Sequence, residues 1–211
     1  MTKIKICGIK TIYDARAAIN AGADMLGFNF YPKSPRYIEK DMCAAITSVL
    51  KKEYPQIKLV GVFVNSAVDE IKDILQTCSL DLAQLHGDET LEMLNELRGK
   101  AFKVFRGVTD WETDKRMVTD FAPAFLIDAQ VKDVYGGSGV QADWNAASKL
   151  AKQYNFLLAG GLTPENVGGA VSRVKPWGVD VASGVEASLG VKDEAKMIAF
   201  VKKAKSLEIR D

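Results

Sequence analysis

Eight short apolar runs alternate with eight amphipathic segments along this chain, and this alternation is the feature that most constrains its fold. The runs are rich in β-branched residues, which favours strands, whereas the segments between them repeat apolar residues at helical spacing. Strands are predicted at residues 4–7, 25–30, 58–64, 82–85, 101–106, 124–127, 156–159 and 178–182. Helices are predicted at residues 12–21, 40–52, 67–77, 89–97, 111–120, 144–153, 164–172 and 193–206. Regular alternation of this kind indicates an α/β fold with a parallel sheet.

The number of strand–helix units favours a closed (β/α)8 TIM barrel. Eight units of about 26 residues account for the chain, whereas a doubly wound open sheet usually has five or six strands. No segment has the composition of a linker, so residues 1–211 are predicted to form a single domain. Ser66 and Asp88 are predicted to begin the third and fourth helices, and Gly22 to end the first.

Charge and composition exclude several classes of protein. The 28 Lys and Arg residues nearly balance the 27 Asp and Glu residues, which gives no electrostatic reason to expect nucleic acid or a membrane as a partner. Three widely spaced cysteines without a CxxC pair argue against disulfides and a zinc site, and a single histidine excludes a multi-histidine metal centre. No signal peptide or spanning segment is recognisable. We therefore expect a cytoplasmic protein without a metal.

Two glycine-containing strand ends predict a phosphate site. The runs at 157–159 and 179–182 end at Gly160–Gly161 and at Ser183–Gly184, on successive strand–helix units. Glycines let backbone N–H groups approach an anion, and barrels of this type often bind phosphate after strands 7 and 8. Thr163 and Pro164 also fit the start of a helix. The alternative is that these glycines only form tight turns.

Catalytic groups in such barrels come from the C-terminal ends of the strands. This rule selects Cys7 after strand 1 and Asp128 after strand 6, which lie three steps apart around a ring of eight. A thiol and a carboxyl facing each other make a plausible base and acid. For this role we expect the pKa of Cys7 to fall below about 8.5, and partial desolvation of Asp128 suits a proton donor. The alternatives are a packing cysteine and a helix-capping or salt-bridged aspartate.

The same rule selects further candidates at other strand ends. Arg36 lies in a loop stiffened by two prolines, where its guanidinium could bind a substrate carboxylate; a solvated loop arginine is the alternative. His86 could line the site or simply bond to the backbone. Asn65 and Arg106 follow strands 3 and 5.

A glycine-rich stretch after strand 6 formally fits the dinucleotide fingerprint G-x-G-x-x-A. It runs from Gly137 through Ser138 and Gly139 to Ala142. That fingerprint belongs in the first strand–helix unit, directly after a strand. Here it lies mid-chain in a predicted loop of about fifteen residues, so a flap over the substrate is the better interpretation.

Taken together, these motifs resemble those of the phosphoribosylanthranilate isomerase family of tryptophan biosynthesis. The motifs that carry the resemblance are KICGI at 5–9, YPKSPR at 31–36, QLHGD at 84–88, LID at 126–128, GGSG at 136–139, LAGGLTPENV at 158–167 and GVDVASGVE at 178–186. The glycine motifs are shared with related phosphate-binding barrels. The Lys-Ile-Cys-Gly start combined with the aspartate after strand 6 is more specific.

The resemblance implies a cofactor-free Amadori rearrangement of N-(5-phosphoribosyl)anthranilate. It implies that Asp128 protonates the ring oxygen, that Cys7 removes the C2′ proton and that Arg36 binds the anthranilate carboxylate. His86 would contact the substrate, and Gly137, Ser138 and Gly139 would join the glycines after strands 7 and 8 at the phosphate. The partner is then a small phosphorylated substrate, and we expect a monomer or a homodimer.

One departure from the family and three alternatives remain. The family usually has Lys or Gln and then Thr after Gly-Ser-Gly, where this chain has Val140 and Gln141, so the flap's contribution to phosphate binding is in doubt. A sugar-phosphate isomerase of the histidine pathway would be expected to use a pair of catalytic aspartates, whereas this chain has a cysteine after strand 1. A barrel that binds without turnover would not be expected to keep Cys7, Asp128 and Arg36. A NAD-dependent oxidoreductase is the remaining alternative.

Overall fold

Eight parallel strands close into one barrel in the computed structural model, which describes residues 1–97, 99–128 and 139–206. The strands are β1 Lys3–Cys7, β2 Met25–Asn29, β3 Lys58–Phe63, β4 Leu82–Leu85, β5 Ala101–Phe105, β6 Leu126–Asp128, β7 Leu157–Ala159 and β8 Gly178–Val181. Each strand pairs with the next along the chain, and β8 pairs with β1 to close the ring. The predicted (β/α)8 fold is confirmed.

A helix follows each strand. The helices are α1 Ile12–Ala21, α2 Lys40–Glu53, α3 Val68–Thr77, α4 Leu91–Glu96, α5 Val108–Thr113, α6 Gly139–Leu150, α7 Val167–Val174 and α8 Glu194–Lys205. A 3-10 turn, Lys115–Met117, follows α5 in place of the predicted continuous helix at 111–120. Among the described helices, none is both long and apolar enough to cross a bilayer.

Helix caps explain where several boundaries differ from the predictions. Gly22 ends α1 in the left-handed region at φ 102°, as predicted. Ser66 and Asp88 are not caps: Ala67 precedes α3 without a side-chain bond, and Thr90 caps α4 by accepting from the N–H of Met93.

Helix α7 begins three residues later than predicted. The Asn166 side chain accepts a bond from the N–H of Thr163 and donates to the carbonyl of Gly161, which holds residues 164–166 in a turn. The N–H of Val167 then donates to the carbonyl of Thr163, and the helix starts there. Thr163 therefore orders the turn before the helix instead of capping the helix itself.

Helix α6 begins earlier than predicted, at Gly139 instead of Trp144. Val140, Gln141 and Ala142 are therefore helical, and the prediction of a loop reaching to residue 143 is wrong. The helix ends at Leu150 because the N–H groups of Gln153 and Tyr154 both turn back to its carbonyl.

A short hairpin after β8 was not predicted. The chain makes a 3-10 turn at Ser183–Val185 and then two antiparallel strands, β9 Glu186–Ser188 and β10 Val191–Lys192. With only two or three residues in each strand, the alternation of polar and apolar residues is too short to predict a hairpin.

Apolar side chains fill the barrel in two layers. One cluster joins alternate strand residues inside the ring, among them Met25, Val60, Phe102 and Leu157. A larger cluster lies between the strands and the helices. Within it, Phe125 stacks on Phe156 with ring centroids 5.2 Å apart.

We predict that Phe125→Ala destabilises the barrel strongly. The Phe125 ring is fully buried and contacts four other aromatic rings, so its removal leaves a cavity costing about 3–5 kcal/mol in free energy of unfolding. Urea unfolding measures the loss. Met42→Ala, at a position 56% exposed, is the control and should change stability by less than about 0.5 kcal/mol. Equal effects in both variants would contradict this description of the core.

Candidate active site

A cavity of about 220 Å³ opens at the C-terminal ends of the barrel strands. Its lining includes the predicted site residues Cys7, Arg36, His86, Asp128, Gly160, Gly161 and Ser183. These residues come from six different strand–helix units, and the closed ring brings them to one mouth. Catalytic sites of such barrels lie at this face.

A larger cavity of about 680 Å³ lies at the opposite face of the barrel. Its charged groups are already paired, for example Lys3 with Asp24 at 2.9 Å. It lies at the N-terminal ends of the strands, where side chains usually contribute to stability instead of chemistry. We therefore place the site in the smaller cavity.

Cys7 is the last residue of β1, and its sulfur faces the cavity and β2. The side chain is 7% exposed, and a Cβ on Gly27 would lie 2.7 Å from its sulfur, so the glycine in β2 makes room for the thiol. Burial raises the pKa of the Cys7 thiol, although the charge of Lys5 opposes the shift. The prediction that this pKa falls below its ordinary value is wrong, because the loss of solvation outweighs the nearby cations.

Asp128 ends β6, and His86 follows β4. Asp128 is half-buried and pairs in register with Ala159 on β7. The N–H of His86 donates to the carbonyl of Phe63 at 2.8 Å, and its ring lies 3.5 Å from the amide of Gln84. Burial lowers the pKa of His86 despite the charge of Asp128, so the imidazole is neutral at neutral pH.

Arg36 reaches back over β1 and is held by Glu186 of the unpredicted hairpin. Its Nε and Nη2 donate to the two carboxylate oxygens of Glu186 at 2.7 and 2.8 Å. Gly8 makes room for this side chain, since a Cβ there would lie 2.7 Å from Cδ of Arg36. The arginine is thus anchored at the cavity and is not a solvated loop residue.

Glu186 is itself held by two cations. Besides Arg36, Lys192 contacts its carboxylate at 3.0 Å, and both Glu186 and Lys192 are almost fully buried. Burial alone would raise the pKa of Glu186, but the bonds from Arg36 and the charge of Lys192 lower it to about 2. The carboxylate therefore stays charged and keeps the guanidinium in one orientation.

The loops after β7 and β8 meet beside the cavity. Gly160 and Gly161 have φ values of 97° and 62°, which favour glycine. A Cβ on Gly184 would overlap the carbonyl of Leu162, so this glycine allows the two loops to touch. Ser183 begins the 3-10 turn at the cavity wall. This arrangement brings the two predicted phosphate loops together.

Asn65 and Arg106 do not line the cavity, and part of the predicted 137–139 segment lies outside the described residues. Asn65 is used locally, because its side-chain oxygen accepts from the N–H of Asp88 at 2.7 Å. Arg106 is exposed and lies 3.9 Å from Asp88. Gly137 and Ser138 lie outside the described residues, whereas Gly139 is the first residue of α6.

Sequence reasoning missed several polar residues of the site. Asp180 lines the cavity from β8 and contacts the fully buried Lys5 of β1 at 2.8 Å. A charged residue within an otherwise apolar strand is the sequence signal that could have identified Asp180 and Lys5. Gln84 also lines the cavity, and its side-chain oxygen is buried without a protein partner among the described residues.

Comparison with known proteins identifies close relatives over the whole barrel. The family model described as N-(5'phosphoribosyl)anthranilate (PRA) isomerase matches residues 4–203. The chain is 45% identical over 207 residues to the N-(5'-phosphoribosyl)anthranilate isomerase of Geotalea uraniireducens, a match covering 98% of this chain and 100% of that protein.

Two solved structures are also similar. One is a phosphoribosyl anthranilate isomerase in complex with reduced 1-(o-carboxyphenylamino)-1-deoxyribulose 5-phosphate; it has a TM-score of 0.82 and 34% identity, covering 98% of this chain and 100% of that one. The other is the structure of monomers generated from the dimeric phosphoribosylanthranilate isomerase of Thermotoga maritima. It has a TM-score of 0.79 and 34% identity, covering 97% of this chain and 99% of that one.

Proposed function

This chain belongs to the phosphoribosylanthranilate isomerase family, and from that premise we propose how its barrel mouth performs the reaction. It is an isomerase of tryptophan biosynthesis, converting N-(5′-phosphoribosyl)anthranilate to 1-(o-carboxyphenylamino)-1-deoxyribulose 5-phosphate. The observation that supports our mechanism is that Cys7 and Asp128 line one cavity from strands three steps apart.

Asp128 is the general acid and Cys7 the general base. Protonated Asp128 gives its proton to the furanose ring oxygen, the bond from that oxygen to C1′ breaks, and the nitrogen lone pair forms a protonated Schiff base. The Cys7 thiolate then removes the C2′ proton, leaving an enol that is conjugated with the nitrogen. In the ketonisation the C2′ hydroxyl returns a proton to the Asp128 carboxylate, and C1′ takes up the proton held by the Cys7 thiol. The carbonyl is then at C2′ and both residues regain their starting forms, which completes an isomerisation without any external oxidant.

Arg36 binds the anthranilate carboxylate, and His86 contacts the substrate as a neutral side chain. Two guanidinium nitrogens of Arg36 are used by Glu186, so the substrate carboxylate is bound through the remaining donors. A cation held in one orientation loses little conformational freedom when the substrate binds.

The phosphate is bound by the backbone of Gly160, Gly161, Ser183 and Gly184. The contact between these two loops supports this assignment, since it brings the glycine-containing ends of both strands together beside the cavity. The segment from Gly137 to Gly139 is proposed to assist.

The partner is a small phosphorylated molecule, and the protein is a monomer or a homodimer formed from one barrel domain. The similar solved structures support these proposals, one by its phosphorylated ligand and one by its monomeric and dimeric forms. The match of the family model over residues 4–203 supports a single domain.

Replacing either catalytic group should reduce turnover by about 10²–10⁴-fold while the protein stays folded. Cys7→Ser replaces the thiol by a much weaker acid, and Asp128→Asn cannot donate the proton. Steady-state kinetics with substrate generated in situ measure both, and losses in the double variant should be less than multiplicative. Cys78→Ser is the matched control, because that buried thiol donates to the carbonyl of Lys40 away from the cavity.

The pH profile tests the base separately. Because the pKa of Cys7 is raised, the thiolate fraction grows as pH rises above neutral. The ratio of wild-type kcat/KM to that of Cys7→Ser should therefore increase over that range, because the other groups titrate alike in the two proteins. Near wild-type turnover in Cys7→Ser would exclude the mechanism and leave Cys7 as a packing residue.

Arg36→Ala should weaken substrate binding by roughly 10- to 150-fold, because a bond to a charged group contributes about 1.5–3 kcal/mol. The effect should appear mainly in KM. Arg16→Ala is the control, since Arg16 makes a similar forked pair with Glu53 on the surface. An unchanged KM in Arg36→Ala would remove this arginine from the site.

Gly161→Ala should raise KM for the phosphorylated substrate. A Cβ at Gly161 meets no atom within 4 Å, so the methyl group extends into the open space beside the loop. The positive φ costs about 1–2 kcal/mol of stability in any L residue. Gly99→Ala controls for that strain, because Gly99 has φ 77°, also has free space, and lies away from the site. If both variants bind inorganic phosphate as wild type does, the phosphate site lies elsewhere.

A further inference from the structure

Lys5 is a fully buried charge that the mechanism above does not use. It lies on β1 with no exposed surface, and its ammonium contacts Asp180 of β8 at 2.8 Å. Burying an ion pair costs desolvation free energy, and apolar residues of the same volume are often as stable or more so. Stability alone therefore gives little reason for a lysine at this position.

The position of Lys5 connects it to Cys7. Residues 5 and 7 of one strand point to the same side, here the interior of the barrel. Gly27 of β2 pairs in register with Cys7, and a Cβ on Gly27 would lie 2.7 Å from the sulfur and 3.1 Å from Nζ of Lys5. The ammonium and the thiol thus share one buried space that the glycine leaves open.

Several charged groups surround this thiol. Burial raises the pKa of Cys7; Lys5 and Lys192 lower it, and Asp180 raises it. For Lys5, burial acts to lower the pKa, but Asp180 and Cys7 more than compensate, so the ammonium stays protonated. Within the described part of the chain, the charged or titratable groups that face this region from the other elements include Arg36, His86, Asp128, Asp180, Glu186 and Lys192.

We propose that Lys5 is a positioning residue that stabilises the thiolate form of Cys7, with Asp180 holding its ammonium in place. This inference rests on the proposed function in assigning the base to Cys7. Lys5 keeps its proton throughout: the C2′ proton goes to the sulfur, and the ammonium only offsets the negative charge that the sulfur carries before that transfer. The ion pair is then retained for chemistry and not for the fold.

The test measures the reactivity of Cys7 without substrate. Iodoacetamide alkylates only the thiolate, so the rate of Cys7 alkylation at a fixed pH, resolved by peptide mass spectrometry, reports the thiolate fraction. Lys5→Met should slow this rate by roughly 10- to 100-fold, because a unit charge a few ångströms away is removed.

Lys103→Met is the matched control. Lys103 is also a buried lysine in an ion pair, with Glu89 at 2.7 Å, but it lies outside the cavity. Its replacement should leave Cys7 alkylation within about twofold of wild type, because the charges that act most on the Cys7 thiol are those of Lys5, Asp180 and Lys192. If Lys5→Met alone fails to fold because Asp180 is left unpaired, the double variant Lys5→Met/Asp180→Asn is used. It should still be slower than wild type, because Lys5 affects the thiol more strongly than Asp180 does.

Catalysis supplies a second readout that a purely structural role would not change. The kcat deficit of Lys5→Met should shrink as pH rises from about 7 to about 9, because hydroxide restores the missing thiolate. Cys7 alkylation in the folded Lys5 variants at the wild-type rate, or a kcat deficit independent of pH, would overturn the proposal. A failure of the proposed function would give a different result. Cys7→Ser would then keep full turnover, while alkylation of Cys7 would still depend on Lys5.

Discussion

The closed ring of hydrogen bonds between β8 and β1 is the constraint on which the rest of the structure depends. In a closed parallel barrel every strand ends at the same rim, whatever its place in the sequence. Cys7, Asp128 and Ser183 are therefore brought to one cavity, although more than a hundred residues separate the first from the second. The helices pack the ring from outside and leave the rim to the loops.

The ring also divides its interior into an apolar and a polar part. Side chains such as Phe102 and Leu157 fill the part nearer the N-terminal ends of the strands, whereas Lys5 and Asp180 occupy the part next to the cavity. Lys5 and Asp180 are paired with each other, so both are held in place before a substrate arrives. Such preorganisation favours charge development in a transition state without reorganisation at the moment of reaction.

Apolar periodicity and strand-end position were enough to predict the barrel and the rim residues Cys7, Asp128 and Arg36, because both depend on short-range patterns. What could not be predicted depends on contacts between distant segments. The hairpin that supplies Glu186 is too short to show a period, and its bond to Arg36 joins residues far apart in the chain. The predicted direction of the pKa shift of Cys7 was wrong, because the residues next to Cys7 in the sequence do not indicate how strongly the closed barrel desolvates the thiol.

A crystal structure of this protein with the reduced product of its reaction tests the central claim most directly. The quantity to measure is the distance from Sγ of Cys7 to C2′ of the bound sugar. We predict about 3–3.5 Å, the separation of reacting atoms in a near-attack geometry, with the phosphate against Gly161 and Ser183. A ligand bound in the reverse direction, with its phosphate at Arg36 and C2′ out of reach of the sulfur, would contradict the account.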